Sequence, residues 1–302
     1  MAQVCRWLTL RLRASIGAAI RGRAMSYERI IVDEPAPMVR RITLNNPDKR
    51  NPLGATMRRE IMHALRAHDV DDSVRVTIIR GAGKCFSAGY DLAGSPTDGE
   101  PPAYQSADGL GSYPREVTET WMSIWDLAKP VIAQIHSYCL AGGTELATGC
   151  DLVYVADDAR IGYPAVRFGT PDMQWHAWLL GPKLGMELML TGDWISGVEA
   201  AQSGFATRSY PAEELEAQVL EKARRIAMIP TDIAQINKRT VHRGMAVMGF
   251  PTAIRQGTEL CALTMGTETF QAFIAEKESE GGLTGALSKR DAKFGDYRTS
   301  EA

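Results

Sequence analysis

Hydrophobic and polar positions divide the chain into three stretches. Between residues 27 and 92 short β-branched runs surround one amphipathic segment. Residues 27–33 and 38–44 read as two strands joined by Glu34-Pro35-Ala36-Pro37, a proline-rich turn. Residues 54–69 place Met57, Ile61, Met62 and Leu65 on one face at helical spacing. Val76 to Ile79 is a short apolar run ended by Gly81 and Gly83, the pattern of a buried strand. Strand, helix and loop units recur to about residue 190, with another apolar strand over Val131 to Ile135. Parallel strands need crossover connections, usually helices, so this part is α/β. Residues 93–114, rich in glycine, proline and serine, predict a mobile loop. From residue 197 the periodicity is helical, over 197–204, 211–227, 230–246 and 250–277.

Composition narrows the function classes. The 302 residues suffice for a large core, and 45% hydrophobic with 23% charged residues is ordinary for a globular chain. The formal charge of -2 comes without a basic patch, so no nucleic acid is expected as a partner; no apolar run reaches membrane-span length. Cys5, Cys85, Cys139, Cys150 and Cys261 lack ligand spacing, so no metal is expected and the thiols read as reduced. No phosphate-binding GxxxxGK[ST] or complete GxGxxG is present.

Residues 1–24 carry Arg6, Arg11, Arg13, Arg21 and Arg23 and no acid; without those five charges the remainder falls from -2 to -7. Such a stretch resembles an organelle transit peptide. Met25-Ser26-Tyr27-Glu28 has the look of a natural start, and an over-extended start codon is the preferred expectation. On either reading 1–24 lies outside the fold. The expected compartment is cytoplasmic, or mitochondrial if 1–24 is a transit peptide.

The candidate chemistry sits in two turns. In the first, Val131 to Ile135 is followed by the small residues Ala141, Gly142 and Gly143, and then by a helix with Glu145 in its first turn. Glycines admit close approach of a ligand, and the N–H groups of a helix start favour negative charge. In the second, Ser87-Ala88-Gly89-Tyr90-Asp91 forms another tight turn after a strand. Two such turns can each give one N–H to a shared oxygen, which is oxyanion-hole geometry.

In these motifs the chain resembles the crotonase superfamily of enoyl-CoA hydratases and isomerases. The likeness includes Ile42-Thr43-Leu44-Asn45-Asn46-Pro47, Phe86-Ser87-Ala88-Gly89-Tyr90-Asp91-Leu92, Gly142-Gly143-Thr144-Glu145-Leu146 with Cys150-Asp151-Leu152, Gly185 to Gly192, and Ala200-Ala201-Gln202-Ser203-Gly204. It runs from about Tyr27 to about Tyr297. The resemblance implies a spiral of ββα units over 25–196 and a C-terminal helical trimerisation subdomain with a tail over 197–302. It implies a homotrimer or dimer of trimers. It also implies an acyl-CoA substrate, with coenzyme A entering as part of the thioester and no tightly bound cofactor.

By motif position, the resemblance assigns the oxyanion hole to the amides of Tyr90 and Gly142, and proton transfer to Glu145. Coenzyme A would lie along Lys49, Arg50 and Leu53, with Ala88, Asp91 and Leu92 beside the pantetheine and adenine path. Lys289 and Lys293 would meet phosphates and Phe294 the adenine. The family's second glutamate is absent: Ile161-Gly162-Tyr163-Pro164-Ala165-Val166 places Ala165 at its position, where it can line the substrate but cannot move a proton. Plain hydration is thereby put in question. Asp172, His176 and Tyr163 are candidate substitutes, Asp172 being the catalytic choice among them. The favoured reading is an enoyl-CoA hydratase or isomerase. A non-catalytic acyl-CoA-binding homologue and a hydrolase of a carbon–carbon or thioester bond stay open beside it.

Overall fold

The computed structural model describes residues 26–92, 112–169, 175–279 and 281–295, without the side chains of 112 and 175–177. Residues 1–24 and most of 93–114 therefore lie outside the described residues. The end of the latter stretch belongs to a helix that begins at Ser112.

Strands β1 (Ile30–Ala36) and β2 (Val39–Leu44) form an antiparallel pair. Next come α1 (Ala55–Val70), β3 (Val76–Gly81), α2 (Ser112–Met122), β4 (Val131–Ile135), β5 (Tyr138–Leu140) and α3 (Gly142–Gly149). Strands β6 (Leu152–Ala156) and β7 (Arg160–Gly162) lead into α4 (Trp175–Thr191), followed by β8 (Trp194–Ser196), α5 (Gly197–Ser203) and β9 (Arg208–Tyr210). Five helices close the described chain: α6 (Leu215–Ala227), α7 (Thr231–Val247), α8 (Phe250–Thr264), α9 (Glu268–Lys277) and α10 (Gly282–Ala292).

Two sheets organise these elements. The larger has the order β1-β2-β3-β4-β6-β9, parallel from β2 onward; the smaller has the order β5-β7-β8. Each repeat runs from a strand of the large sheet to a strand of the small one and then to a helix: β4-β5-α3, then β6-β7-α4. The segment after β3 does the same in reduced form, since Ser87 bridges Cys139 in parallel. This is the expected ββα spiral. All five residues of β4 are buried, as a parallel strand covered on both faces requires. Met57, Ile61, Met62 and Leu65 of α1 are all buried against the large sheet, as their spacing predicts.

Three boundaries differ from expectation. The first turn falls at Pro37-Met38, with Met38 at φ 64°, so β1 continues through Pro35. An edge strand tolerates a proline because its outward N–H has no ladder partner to lose. The expected helix 250–277 is two helices, because Thr267 caps α9 through its side chain, which accepts from the Phe270 N–H. The basic segment expected as a tail is the end of α10.

His68 on α1 is buried, with Nδ1 3.1 Å from Thr77 Oγ1. Burial, reinforced by the charge of Arg40, pushes its pKa down from 6.5 to about 4. The unfolded chain therefore binds this proton first, so the stability is complete above pH 6.5 and is lost as pH falls towards 4. Urea unfolding at pH 7, 5.5 and 4.5 should show that decline, and His68→Gln should flatten it.

Candidate active site

The site lies where three parallel segments of the small sheet end together. Ser87 N–H donates to Tyr138 O at 3.2 Å, and Leu140 N–H donates to Ser87 O at 3.0 Å. Ala141 N–H donates to Gly162 O at 2.9 Å, tying β5 to β7. The Ser87–Cys139 bridge and the Cys139–Ile161 pairing set the three segments side by side before they turn off at Gly89 and Ala141. The turns are specified by size as well as register. Gly89 has φ +102°, and a Cβ there would lie 2.9 Å from Leu140 O and 3.2 Å from Gly142 N. Only glycine allows the two loops to approach this closely. Ala141 sits at φ 48°, a conformation that costs about 1–3 kcal/mol for a residue with a Cβ. Its carbonyl is held by the Thr144 N–H at 2.8 Å and the Thr144 hydroxyl at 2.6 Å.

Buried Asn51 holds the first loop from behind. Its amide nitrogen donates to Ala82 O and Cys85 O at 2.9 Å, and its side-chain oxygen accepts from Asn46 N–H at 2.9 Å. Ser87 Oγ donates to Asn51 O at 2.8 Å and accepts from Gly89 N–H at 3.1 Å. Among the described residues, neither the Tyr90 N–H nor the Gly142 N–H has an acceptor.

Glu145 is fully buried in the first turn of α3. Both its oxygens accept from phenols: Oε2 from Tyr90 at 2.5 Å and Oε1 from Tyr163 at 2.9 Å. The Trp121 indole N–H of α2 donates to Tyr90 Oη at 3.0 Å. The Tyr90 ring packs on Gly142, where a Cβ would lie 2.7 Å from two ring carbons. Burial, then the charge of Glu145, pushes the Tyr90 phenol well above 10. Arg58, buried beneath, has its guanidinium 5.9 Å from the Tyr90 ring centroid and 5.6 Å from that of Tyr113. Nearby thiols are poor nucleophiles, since burial raises Cys85 to about 11 and lifts Cys139 further.

The other expected positions are scattered around this centre. Ala165 is buried in an aromatic cluster with Tyr163, Phe168, Phe270 and Phe273, closed by α9 and α10. Leu92 packs against the same cluster, and its carbonyl accepts from Lys277 Nζ at 3.0 Å. Ala88 and Asp91 are partly exposed beside Tyr90, and Lys49 and Arg50 are exposed in a short turn. Leu53 is different: its side chain is wholly buried in the main core, so only its backbone faces the neighbouring loop, with its N–H donating to Gly89 O at 2.8 Å. Lys289 pairs with Glu276 at 2.7 Å, and the half-exposed Phe294 ring lies 4.3 Å from the Arg167 guanidinium carbon. Asp172 lies outside the described residues, as does the His176 side chain. No group of residues fit to hold a metal ion is found among the described residues, and no described helix is long and apolar enough to cross a membrane. Sequence reasoning gave Arg58 no role and did not foresee that the Trp121 indole donates to Tyr90.

A spiral of ββα units with two tight turns meeting above a buried glutamate defines a crotonase-type protein. The family description "Enoyl-CoA hydratase/isomerase" matches residues 36–297, and the chain belongs to that family. A solved enoyl-CoA hydratase from Mycobacterium smegmatis is similar at TM-score 0.80 and 29% identity, covering 92% of this chain and 99% of that one. An enoyl-CoA hydratase/isomerase from Xanthobacter autotrophicus Py2 gives TM-score 0.79 and 32% identity over 90% and 100% of the two chains. The mitochondrial enoyl-CoA hydratase of Pongo abelii is 29% identical over 84% of this chain and 83% of its own.

The packing of Tyr90 on Gly142 yields a test. Gly142→Ala places a methyl inside the ring and must displace it. Overpacking of this kind costs roughly 1–3 kcal/mol, so chemical denaturation should show that loss. A crystal structure of the variant should show the Tyr90–Glu145 hydrogen bond broken.

Proposed function

We propose that the chain is an acyl-CoA enzyme that forms a thioester enolate, acting as an enoyl-CoA hydratase or isomerase. The reading is supported by N–H groups on Tyr90 and Gly142 that have no acceptor within the described fold, by the Tyr90 ring packed on Gly142, and by the Tyr90 hydroxyl on buried Glu145. Donors fixed in place where charge develops stabilise a transition state without reorganising, each worth about 2.7–4 kcal/mol. Here the charge would grow on the thioester oxygen. Glu145 would take a proton from water or from an acyl carbon. Each of its oxygens accepts from one phenol, and an ionised carboxylate can take up a proton.

Coenzyme A would be bound without any resident cofactor. Lys49 and Arg50 are exposed on the rim formed by the 45–53 segment, and Lys289, Lys293 and Phe294 are exposed on the C-terminal side. Assembly into trimers is supported by the apolar residues that α7 and its flanks leave uncovered, with Met228 at 73% and Val247 at 90% exposure. Helices α9 and α10 instead pack on their own core at Ala165.

A methyl group at 165 favours isomerisation over two-carboxylate hydration, because one base can lift a proton and return it elsewhere. It also supports a second reading, an acyl-CoA-binding homologue without turnover. A change in conjugated-enoyl absorbance separates the two: hydration removes it from crotonyl-CoA, and isomerisation creates it from 3-butenoyl-CoA. Glu145→Gln should slow this change by about 10²–10⁴-fold while acyl-CoA binding persists. Unchanged turnover would refute the role of Glu145, and tight binding with no turnover by the unaltered protein would select the binder.

A further inference from the structure

We propose that Tyr90 is the second proton-carrying group of this site, delivering at the acyl Cα the proton that Ala165 cannot. The proposal rests on the enolate-forming reading above and adds to it a group that no two-carboxylate scheme contains.

Hydrogen-bond direction comes first. The Trp121 indole is a donor only, so Tyr90 Oη, 3.0 Å away, must accept from it. The phenol's own proton is then directed at Glu145 Oε2, 2.5 Å away. Tyr163 fills the other carboxylate oxygen at 2.9 Å. The result is a one-way chain, Trp121 to Tyr90 to Glu145, with Tyr163 steadying its end.

Placement comes second. Glu145 and Trp121 are wholly buried and Tyr163 is 2% exposed, whereas Tyr90 keeps partial exposure. Of the four, Tyr90 alone has appreciable surface open to solvent, with its hydroxyl at the inner end of the ring against Glu145. Its backbone N–H is also one of the two donors to the thioester oxygen, so its ring is covalently fixed beside that carbonyl. A Cβ on Gly142, the other donor, would lie 2.8 Å from Tyr90 Cζ, the carbon that bears the hydroxyl. The ring carbon that bears the hydroxyl therefore lies against Gly142, whose amide is the other donor. Its raised pKa keeps it protonated at neutral pH, as an acid waiting for a stronger base requires.

The proton balance closes without another reactant. Water attacks Cβ and its proton passes to Glu145, while the π pair moves to the thioester oxygen. The enolate then takes the Tyr90 proton at Cα, and its electron pair restores the carbonyl. The phenolate recovers a proton from Glu145 through the hydrogen bond already in place. Net, one water is added and the protein is unchanged. Run backwards, the same relay removes a Cα hydrogen.

Exchange of the Cα hydrogens of butyryl-CoA in D₂O, followed by NMR, isolates this step from water addition. Tyr90→Phe keeps both amides and should bind butyryl-CoA within about threefold of wild type by calorimetry. It should lose exchange by at least about a hundredfold, the lower bound for a general acid–base group. Tyr113→Phe removes a neighbouring buried phenol, 5.8 Å away ring to ring, and should leave exchange within a few-fold. Replacing Tyr90 with 3,5-difluorotyrosine, a more acidic phenol, should move the pH profile of exchange to lower pH, which a merely structural ring would not do. A smaller loss in Tyr90→Phe, or a pH profile indifferent to fluorination, would overturn the proposal. Failure of the wild-type protein to bind or exchange butyryl-CoA would instead overturn the enolate reading beneath it.

Discussion

One pairing carries the site: the parallel alignment of the Ser87 segment with β5, closed by two hydrogen bonds between Ser87 and residues 138 and 140. In a parallel pair the residues run in step, so both chains leave the sheet at the same end. That shared exit brings the Gly89–Tyr90 turn against Gly142. A slip of one residue would swap the faces of both segments and separate them. Asn51 and Gly89 are best understood as guards of this register. The first fixes the loop through three polar contacts, and the second permits an approach that any Cβ would forbid.

Burying a carboxylate on this shared edge is costly unless it is paired or hydrogen-bonded. Glu145 is supplied with phenols from both neighbouring strand ends, Tyr90 on one side and Tyr163 on the other. The same geometry explains the setting of Ala165. Two residues beyond Tyr163, it is buried in a cluster made by Tyr163, Phe168, Phe270 and Phe273. A second carboxylate there would be desolvated by the helices that close the cluster. The methyl and the aromatic cluster belong to one arrangement.

The fold was legible because it is written in local pattern. The apolar run Val131–Ile135 and the face Met57, Ile61, Met62, Leu65 each report burial directly, and both elements fall where the pattern puts them. Gly142 and Glu145 were legible as a turn with an acid behind it. What was not legible depends on contacts distant in sequence. Nothing around Tyr90 shows that its hydroxyl reaches residue 145, or that Trp121 completes its hydrogen bonding. Leu53 shows the converse, since a residue in a binding motif can spend its side chain wholly on the core. The break at Met265-Gly266-Thr267 was missed because apolar periodicity continues across it and only the Thr267 cap ends it.

The hydrogen bond from Trp121 of α2 to the Tyr90 hydroxyl closes a circuit that links packing far from the turns to the chemistry at them. Where α2 crosses α3, a Cβ on Gly149 would lie 3.1 Å from Trp121 O, so the helices meet at backbone distance and fix the indole. Arg58 clamps the circuit from below: it donates to Leu53 O at 3.0 Å, pairs with Glu116 of α2 at 3.2 Å, and lies against the rings of both Tyr90 and Tyr113. Such cation–ring contacts contribute about 0.5–2 kcal/mol each. The orientation of one phenol is thus set by three elements, α1 through Arg58, α2 through Trp121 and α3 through Glu145. A shift of α1 or α2 reaches the proton on Tyr90 first, whereas a shift of α3 carries the Gly142 amide with it, because that residue opens the helix.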